Sequence, residues 1–241
     1  MTDLAAAIAA TGYVSLPGEE ARATFDPAGI ALSGAEWARF ADSWHDLRPD
    51  TFMADGGRYR LRRHAIYAAA PGGPVLRAEH QPHFQAVAHN PLNGGIQRWF
   101  EPVEQGVGEG PPMAALLAGA RAVFDRLSPG AAWHIEAHQF RIEARPEEAG
   151  QPTPEGMHRD GVDHVMVMLI GRENVEGGVT GIEIDGAENR GREEASFTLS
   201  HPADAVLLDD RRVHHGVTPI RPIDPELPGH RDVLVLTFAR R

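Results

Sequence analysis

The chain has 241 residues, 42% hydrophobic and 24% charged, with 23 Lys plus Arg against 34 Asp plus Glu and a formal net charge of -11. This is an ordinary globular composition, long enough to bury a sizeable core, and its acidic balance argues against nucleic acid as a partner. Cysteine is absent, which excludes disulfides, thiolate metal sites and cysteine nucleophiles and leaves 13 histidines as the main metal-binding resource.

The N-terminus lacks a basic flank, and its apolar run over 4–10 is too short to span a bilayer. A cytoplasmic protein with no membrane partner is the expectation. Residues 3–10 read as a short helix capped by Thr2 or Asp3, and 13–16 as a strand. Ser33 and Glu36 have capping-box spacing, and Trp37, Phe40, Ala41 and Trp44 behind them recur at helical intervals. Arg98, Trp99 and Phe100 suit either a pocket wall or a local core cluster. Residues 112–127 read as a second helix, Ala-rich, amphipathic and closed by Ser128, Pro129 and Gly130.

From about residue 131 the hydrophobic period shortens to two. Residues 133–143 alternate in and out, and further strands are expected over 162–170, 178–184, 196–199, 205–208 and 232–238. Helices followed by short strands indicate an α+β chain with an antiparallel jelly-roll core. The Pro- and Gly-rich stretches at 71–74, 108–112 and 149–156 read as loops within one domain over 1–241. Its helix-rich part covers about 1–130 and its metal-binding β core about 131–241.

The chemistry concentrates in Gly156-Met157-His158-Arg159-Asp160-Gly161. Two residues apart on an extended chain, His158 and Asp160 point the same way, so an imidazole and a carboxylate can grip one ion. A third ligand is expected from 212–219, which holds His214 and His215. Adjacent strand residues face opposite ways, so one of the two faces the metal, and the residues alone leave the choice open. Two histidines and a carboxylate leave three positions of an octahedral ion free, the arrangement of non-haem iron(II) oxygenases. Those positions suit a bidentate oxo-acid and dioxygen. Arg231, at the head of the last strand, offers a planar guanidinium for the far carboxylate of such an acid.

Candidate substrate contacts are less sharply marked. Arg141 and Gln139 share one face of the strand over 133–143, with His138 and Phe140 on the other. If the first face lines the cavity, Arg141 can hold a substrate carboxylate. Asp163 and His164 follow the metal loop and can orient substrate or ligands. There is no Gly-x-Ser-x-Gly elbow, phosphate loop or dinucleotide fingerprint, so hydrolase, nucleotidase and dehydrogenase readings lack their usual parts.

With residues 152–161, His215-Gly216-Val217-Thr218-Pro219-Ile220 and Arg231-Asp232, the chain resembles the bacterial 2-oxoglutarate/iron(II) dioxygenases that include L-isoleucine 4-hydroxylase. The similarity runs from about residue 131 to the C-terminus. Upstream, residues 94–100 sit where that family has a similar Gly-Ile-Glu-Arg element. The resemblance implies a double-stranded β-helix (jelly-roll, cupin-like) core and Fe(II) on His158, Asp160 and His215. The third ligand is then the histidine immediately before the glycine. It also implies 2-oxoglutarate anchored by Arg231, O2 as second co-substrate, and hydroxylation of a small substrate, a free L-amino acid, with release of succinate and CO2. Asp160 itself favours hydroxylation, since related halogenating enzymes lack that carboxylate. The alternatives are a jelly-roll metal-binding protein and a redox-neutral cupin-type metalloenzyme, neither of which turns over 2-oxoglutarate.

Overall fold

In the computed structural model, which describes residues 3–90, 92–184 and 195–241, the expected elements form, and among those that the patterns do not announce two are instructive exceptions. Helix α1 (Leu4–Thr11) begins where the Asp3 carboxylate accepts from the Ala6 amide and ends at Gly12, whose φ of 86° favours a residue without Cβ. Thr2, the alternative cap, lies outside the described residues. Strand β1 (Tyr13–Leu16) leads into α2 (Gly18–Phe25), the first exception. Its buried face is only Gly18, Ala21 and Phe25, too sparse a stripe to announce a helix. Helix α3 (Gly34–Asp42) follows Ser33 as expected, but the Ser33 hydroxyl donates to the Gly29 carbonyl and Glu36 pairs with Arg39, so the capping box does not form. Short α4 (Gln105–Gly108) precedes α5 (Pro111–Leu127), which buries Met113, Leu116, Leu117, Ala120 and Phe124 at helical spacing.

The second exception is β3 (Arg60–Ala69), flanked by β2 (Arg48–Pro49) and β4 (Val75–Arg77). It pairs along its whole length with β7 (Trp133–Ala144), so the main sheet is not confined to residues beyond 131. Its run Arg60, Arg62, His64 looks solvated in sequence, yet all three side chains are buried. A short hairpin, β5 (His83–Phe84) with β6 (Gln97–Arg98), lies between these two long strands in sequence.

The remaining strands are β8 (His164–Glu173), β9 (Val175–Gly177), β10 (Val179–Ile184), β11 (Ala195–Thr198), β12 (Ala205–Asp209), β13 (Val213–Val217), β14 (Ile220–Pro222) and β15 (Gly229–Arg240). The main sheet runs β1-β12-β8-β15-β7-β3-β2, with β4 on β3; β11-β10-β13 form a second sheet, and β14 pairs β9. All of these pairings are antiparallel, giving a jelly-roll α+β fold.

Strand alternation gives the main sheet two different faces. Leu234, Leu236 and Phe238 of β15 and Trp133, Ile135 and Ala137 of β7 pack on the helices, within one cluster that includes Leu116 and Phe124. Each fully buried Leu, Ile or Phe among them contributes about 1.5–3 kcal/mol. The intervening residues, among them Glu136, His138 and Phe140 of β7 and Arg231, Val233 and Val235 of β15, line a cavity. Among the described residues no helix is long and apolar enough to cross a membrane.

Candidate metal and co-substrate site

The loop 156–161 is fastened to β13 by a two-residue bridge. The His158 amide donates to the His215 carbonyl at 3.0 Å, and the His215 amide returns a bond at 2.9 Å. This brings the two rings to 4.6 Å between centroids. Gly156 and Gly161, both at positive φ, turn the loop so that Asp160 comes back over the pair. A Cβ at Gly161 would also lie 2.5 Å from the His89 ring. Asp160 Oδ1 is 3.6 Å from His158 Nε2, and Oδ2 is 3.6 Å from His215 Nε2. These gaps are too long for hydrogen bonds and suit atoms that share an ion at roughly 2.0–2.2 Å.

The surrounding hydrogen bonds fit that role. His158 Nδ1 lies 3.0 Å from the Gly156 carbonyl, which can only accept, so Nδ1 carries a proton and Nε2 is the nitrogen left to face an ion. Buried Asp210 accepts from the Asp160, Gly161 and Val162 amides at 3.0, 2.8 and 3.1 Å and so holds the loop from behind. Its Oδ1 is 3.9 Å from His215 Nδ1.

The titration pattern is that of a site made for a cation. Burial works against charge on His158, but Asp160 and then Glu155 outweigh it and lift the imidazole to about 9. Burial likewise opposes the Asp160 charge, yet the two histidines hold its carboxyl well below the usual carboxylate range. Burial, then the His158 charge, depresses His215 to about 4. Burial, then the Asp160 charge, raises Asp210 to about 6.

The triad opens into a cavity of about 440 Å³. Arg231 reaches it from β15 and is 2% exposed, and its Nε and Nη2 have no hydrogen-bond partner among the described residues. Burial, then Arg172, pushes its guanidinium down to about 10. The backbone packs directly on this side chain: a Cβ at Gly178 would lie 3.4 Å from Arg231 Cδ. His215 also lines the cavity, whereas His214, its strand neighbour, does not.

The expected substrate contacts fall on the other side of the sheet. Arg141 donates from Nε and Nη2 to the two Asp232 oxygens at 2.8 and 2.7 Å and does not line the cavity. Gln139 is 1% exposed and donates to the Ser43 hydroxyl. The alternation of β7 is as the sequence indicates, but its cavity face is the one with His138 and Phe140. Asp163 accepts from the Arg240 amide and Nε at 2.8 Å each, tying the loop to β15. His164 stacks on Phe124 in the core. Arg60, Arg62, His83, Arg98, Glu136 and Glu155 line the cavity instead. The strand parity of β3 and β7 carries the signal for Arg60, Arg62 and Glu136; Arg98, His83 and Glu155 sit on short or irregular segments with no such pattern.

A family model described as 2OG-Fe dioxygenase matches residues 41–237. The chain belongs to this family. Its members use Fe(II), 2-oxoglutarate and O2, so the protein is an Fe(II)/2-oxoglutarate-dependent dioxygenase, which sets aside both readings without 2-oxoglutarate turnover. A 3(1)-hydroxy-L-isoleucine 4-dioxygenase from Pantoea ananatis (strain AJ13355) is 24% identical over 100% of this chain and 96% of its own length. Among solved structures, a bsmA homologue from Methylobium petroleophilum PM1 is 37% identical, with a TM-score of 0.84 over 98% of this chain and 91% of that one. IDO from Bacillus thuringiensis, 18% identical, shares the fold with a TM-score of 0.78 over 99% and 98% of the two chains.

A second group in this dioxygenase, His64, His83, Glu136 and His138, also has the spacing of a metal cluster. Its hydrogen bonds argue otherwise. Arg62 Nη2 lies 2.7 Å from His138 Nδ1, and arginine can only donate. Nδ1 therefore accepts, the His138 proton is on Nε2, and that nitrogen has no lone pair for an ion. His64 Nε2 and His83 Nδ1 sit 3.0 and 2.6 Å from Glu136 Oε2. The group is a carboxylate ringed by imidazole donors.

Proposed function

We propose that this dioxygenase hydroxylates a free L-amino acid, with iron(II) held by His158, Asp160 and His215 and the distal carboxylate of 2-oxoglutarate held by Arg231. The observation that carries the reading is Arg231. A buried guanidinium with its Nε and Nη2 donors unanswered among the described residues, in the cavity that also holds the triad, suits a bidentate carboxylate.

Iron(II) with 2-oxoglutarate and dioxygen supplies the oxidant: one oxygen atom ends in succinate, the other in the substrate alcohol, and CO2 leaves. The protein supplies placement. His158 and His215 present Nε2 from a shared backbone bridge, Asp160 closes the third position, and Asp210 keeps the loop from opening. Val167, Val233 and Val235 line the cavity with apolar surface. The helices and the β core act as one catalytic domain in this reading, because β3 from the N-terminal part completes the sheet that carries Arg231. A cytoplasmic enzyme is the matching location, where metabolism supplies 2-oxoglutarate.

The amino-acid substrate is supported by the Pantoea relative, whose name gives a hydroxylated isoleucine as its substrate and which matches the whole of this chain. The test is succinate formation from 2-oxoglutarate and iron(II) against the free L-amino acids, followed by mass spectrometry. One amino acid is expected to stimulate turnover and gain one oxygen atom. Turnover coupled to no amino acid would remove this substrate class.

A further inference from the structure

Three arginines, Arg60, Arg62 and Arg98, line the cavity. Their partners divide them. Arg60 Nε and Nη2 both lie 2.8 Å from Asp50 Oδ2. Arg62 lies between Phe100 and Phe140, 3.6 and 4.4 Å from their ring centres, and donates to His138. Arg98 is 2% exposed, and its Nε and Nη2 have no partner among the described residues.

Those two nitrogens form one edge of the guanidinium, the edge that takes a carboxylate with two parallel bonds. The protein contains a filled example in Arg141, whose Nε and Nη2 hold the two oxygens of Asp232. Arginine does not shed its charge to escape burial, so a polar partner is called for. Arg98 is also distinct from Arg231. The charges acting on Arg98 are Arg60, Asp50, Glu155 and Glu136, whereas Arg172 and Asp232 act on Arg231.

An acidic counterpart stands on the same cavity wall. Glu155 has a side chain 9% exposed; its Oε1 lies 3.5 Å from His158 Nε2, and its Oε2 has no partner among the described residues. It acts on Arg98 electrostatically without forming an ion pair with it. The other cavity carboxylate outside the triad, Glu136, is already ringed by imidazoles.

We propose that Arg98 and Glu155 form a two-point clamp for a zwitterion, with Arg98 gripping the α-carboxylate of the amino acid to be oxidised and Glu155 accepting from its ammonium. This rests on the amino-acid reading above and names the groups that would enforce it. An α-amino acid then binds by its invariant atoms, with its ammonium at the carboxylate that lies beside His158.

The test is calorimetry without oxygen on protein loaded with Mn(II) and 2-oxoglutarate. The free L-amino acids are titrated first, then the carboxamide and the desamino acid of the tightest binder. The wild type is expected to prefer the amino acid over both analogues. Arg98→Gln is expected to weaken amino-acid binding about a hundredfold and to erase the preference over the carboxamide, with Arg98→Lys recovering part of it. Glu155→Gln is expected to erase the preference over the desamino acid. Mn(II) and 2-oxoglutarate affinities should stay unchanged in both Arg98 variants and 2-oxoglutarate affinity in Glu155→Gln, which also shows that they fold.

An amino acid bound equally well by the wild type and Arg98→Gln would overturn the clamp while leaving the amino-acid reading intact. A wild type that binds desamino acids but no amino acid would remove the amino-acid reading and Glu155 and keep Arg98 as a carboxylate anchor. A Glu155→Gln protein that keeps the full preference for the amino acid over the desamino acid would overturn that residue's share. A wild type that binds none of the three classes would overturn the whole proposal.

Discussion

Replacing Asp210 by Asn separates its structural role from its metal-supporting one. The carboxylate holds three loop amides, with Oδ2 serving Gly161 and Val162 and Oδ1 serving Asp160. Asn keeps one acceptor, so at least the bond on its amide side is lost, at about 1.5–3 kcal/mol for a bond to a charged group. Against this stands the cost of the charge itself. Burial and Asp160 raise the Asp210 pKa from 3.8 to about 6, so the neutral form is preferred in the fold. The penalty for ionising it is absent below 3.8, grows as pH rises from 3.8 to 6, and stays at about 3 kcal/mol above that, pH 8 included. The two effects nearly cancel in the metal-free protein, whose Tm should move by only about 2–4 °C.

A bound cation offsets the Asp160 charge and with it the penalty, so only the lost bonds remain. Metal affinity should therefore fall about 10- to 100-fold, the usual consequence of losing a group that orients metal ligands. Mn(II) calorimetry at pH 8, with melting curves in the presence and absence of metal, reads both quantities. A large fall in metal-free Tm with unchanged Mn(II) affinity would refute this reasoning and make Asp210 a plain structural anchor.

Arg231→Met should raise the metal-free Tm, because an unpaired buried charge gives way to an apolar chain, while 2-oxoglutarate binding falls about a hundredfold or more and Mn(II) affinity holds. Unchanged 2-oxoglutarate affinity, measured by calorimetry, would contradict the anchor role. His158, lifted to about 9, carries a proton at neutral pH that a metal must displace from Nε2. Metal binding at pH 7 should release about one proton, and affinity should fall about tenfold per unit as pH drops from 9 towards 7. Calorimetry in two buffers of different ionisation heat measures the release; pH-independent affinity over that range would count against it. Arg141→Ala leaves buried Asp232 with only His230, 3.5 Å away, in place of its bidentate partner and should cost about 3 kcal/mol of stability with no change in KM for either substrate. A raised KM with an intact Tm would instead return Arg141 to the site.

The clustering of His158, Asp160 and His215 was legible because its signal is local. A His-x-Asp pair between glycines, a histidine before Gly216 and an arginine heading the last strand each mark a position that few sequences supply together. The substrate end was not legible, for a geometric reason. Alternation tells which residues of β7 share a face, but which face meets the cavity depends on where α5 packs, and that is a tertiary fact. The same reasoning explains β3. Arg60, Arg62 and His64 mimic a solvated segment because the face they occupy is the polar interior of the site. Arg98 lies on a two-residue strand whose pairing with His83 no periodicity announces.

The central claim is that the triad of His158, Asp160 and His215 drives 2-oxoglutarate turnover. The most direct measurement is iron-dependent succinate release by the wild type and by Asp160→Ala, with melting curves to match their folding. The account predicts release by the wild type and none above background from a folded Asp160→Ala protein. Comparable release from both would place the iron elsewhere.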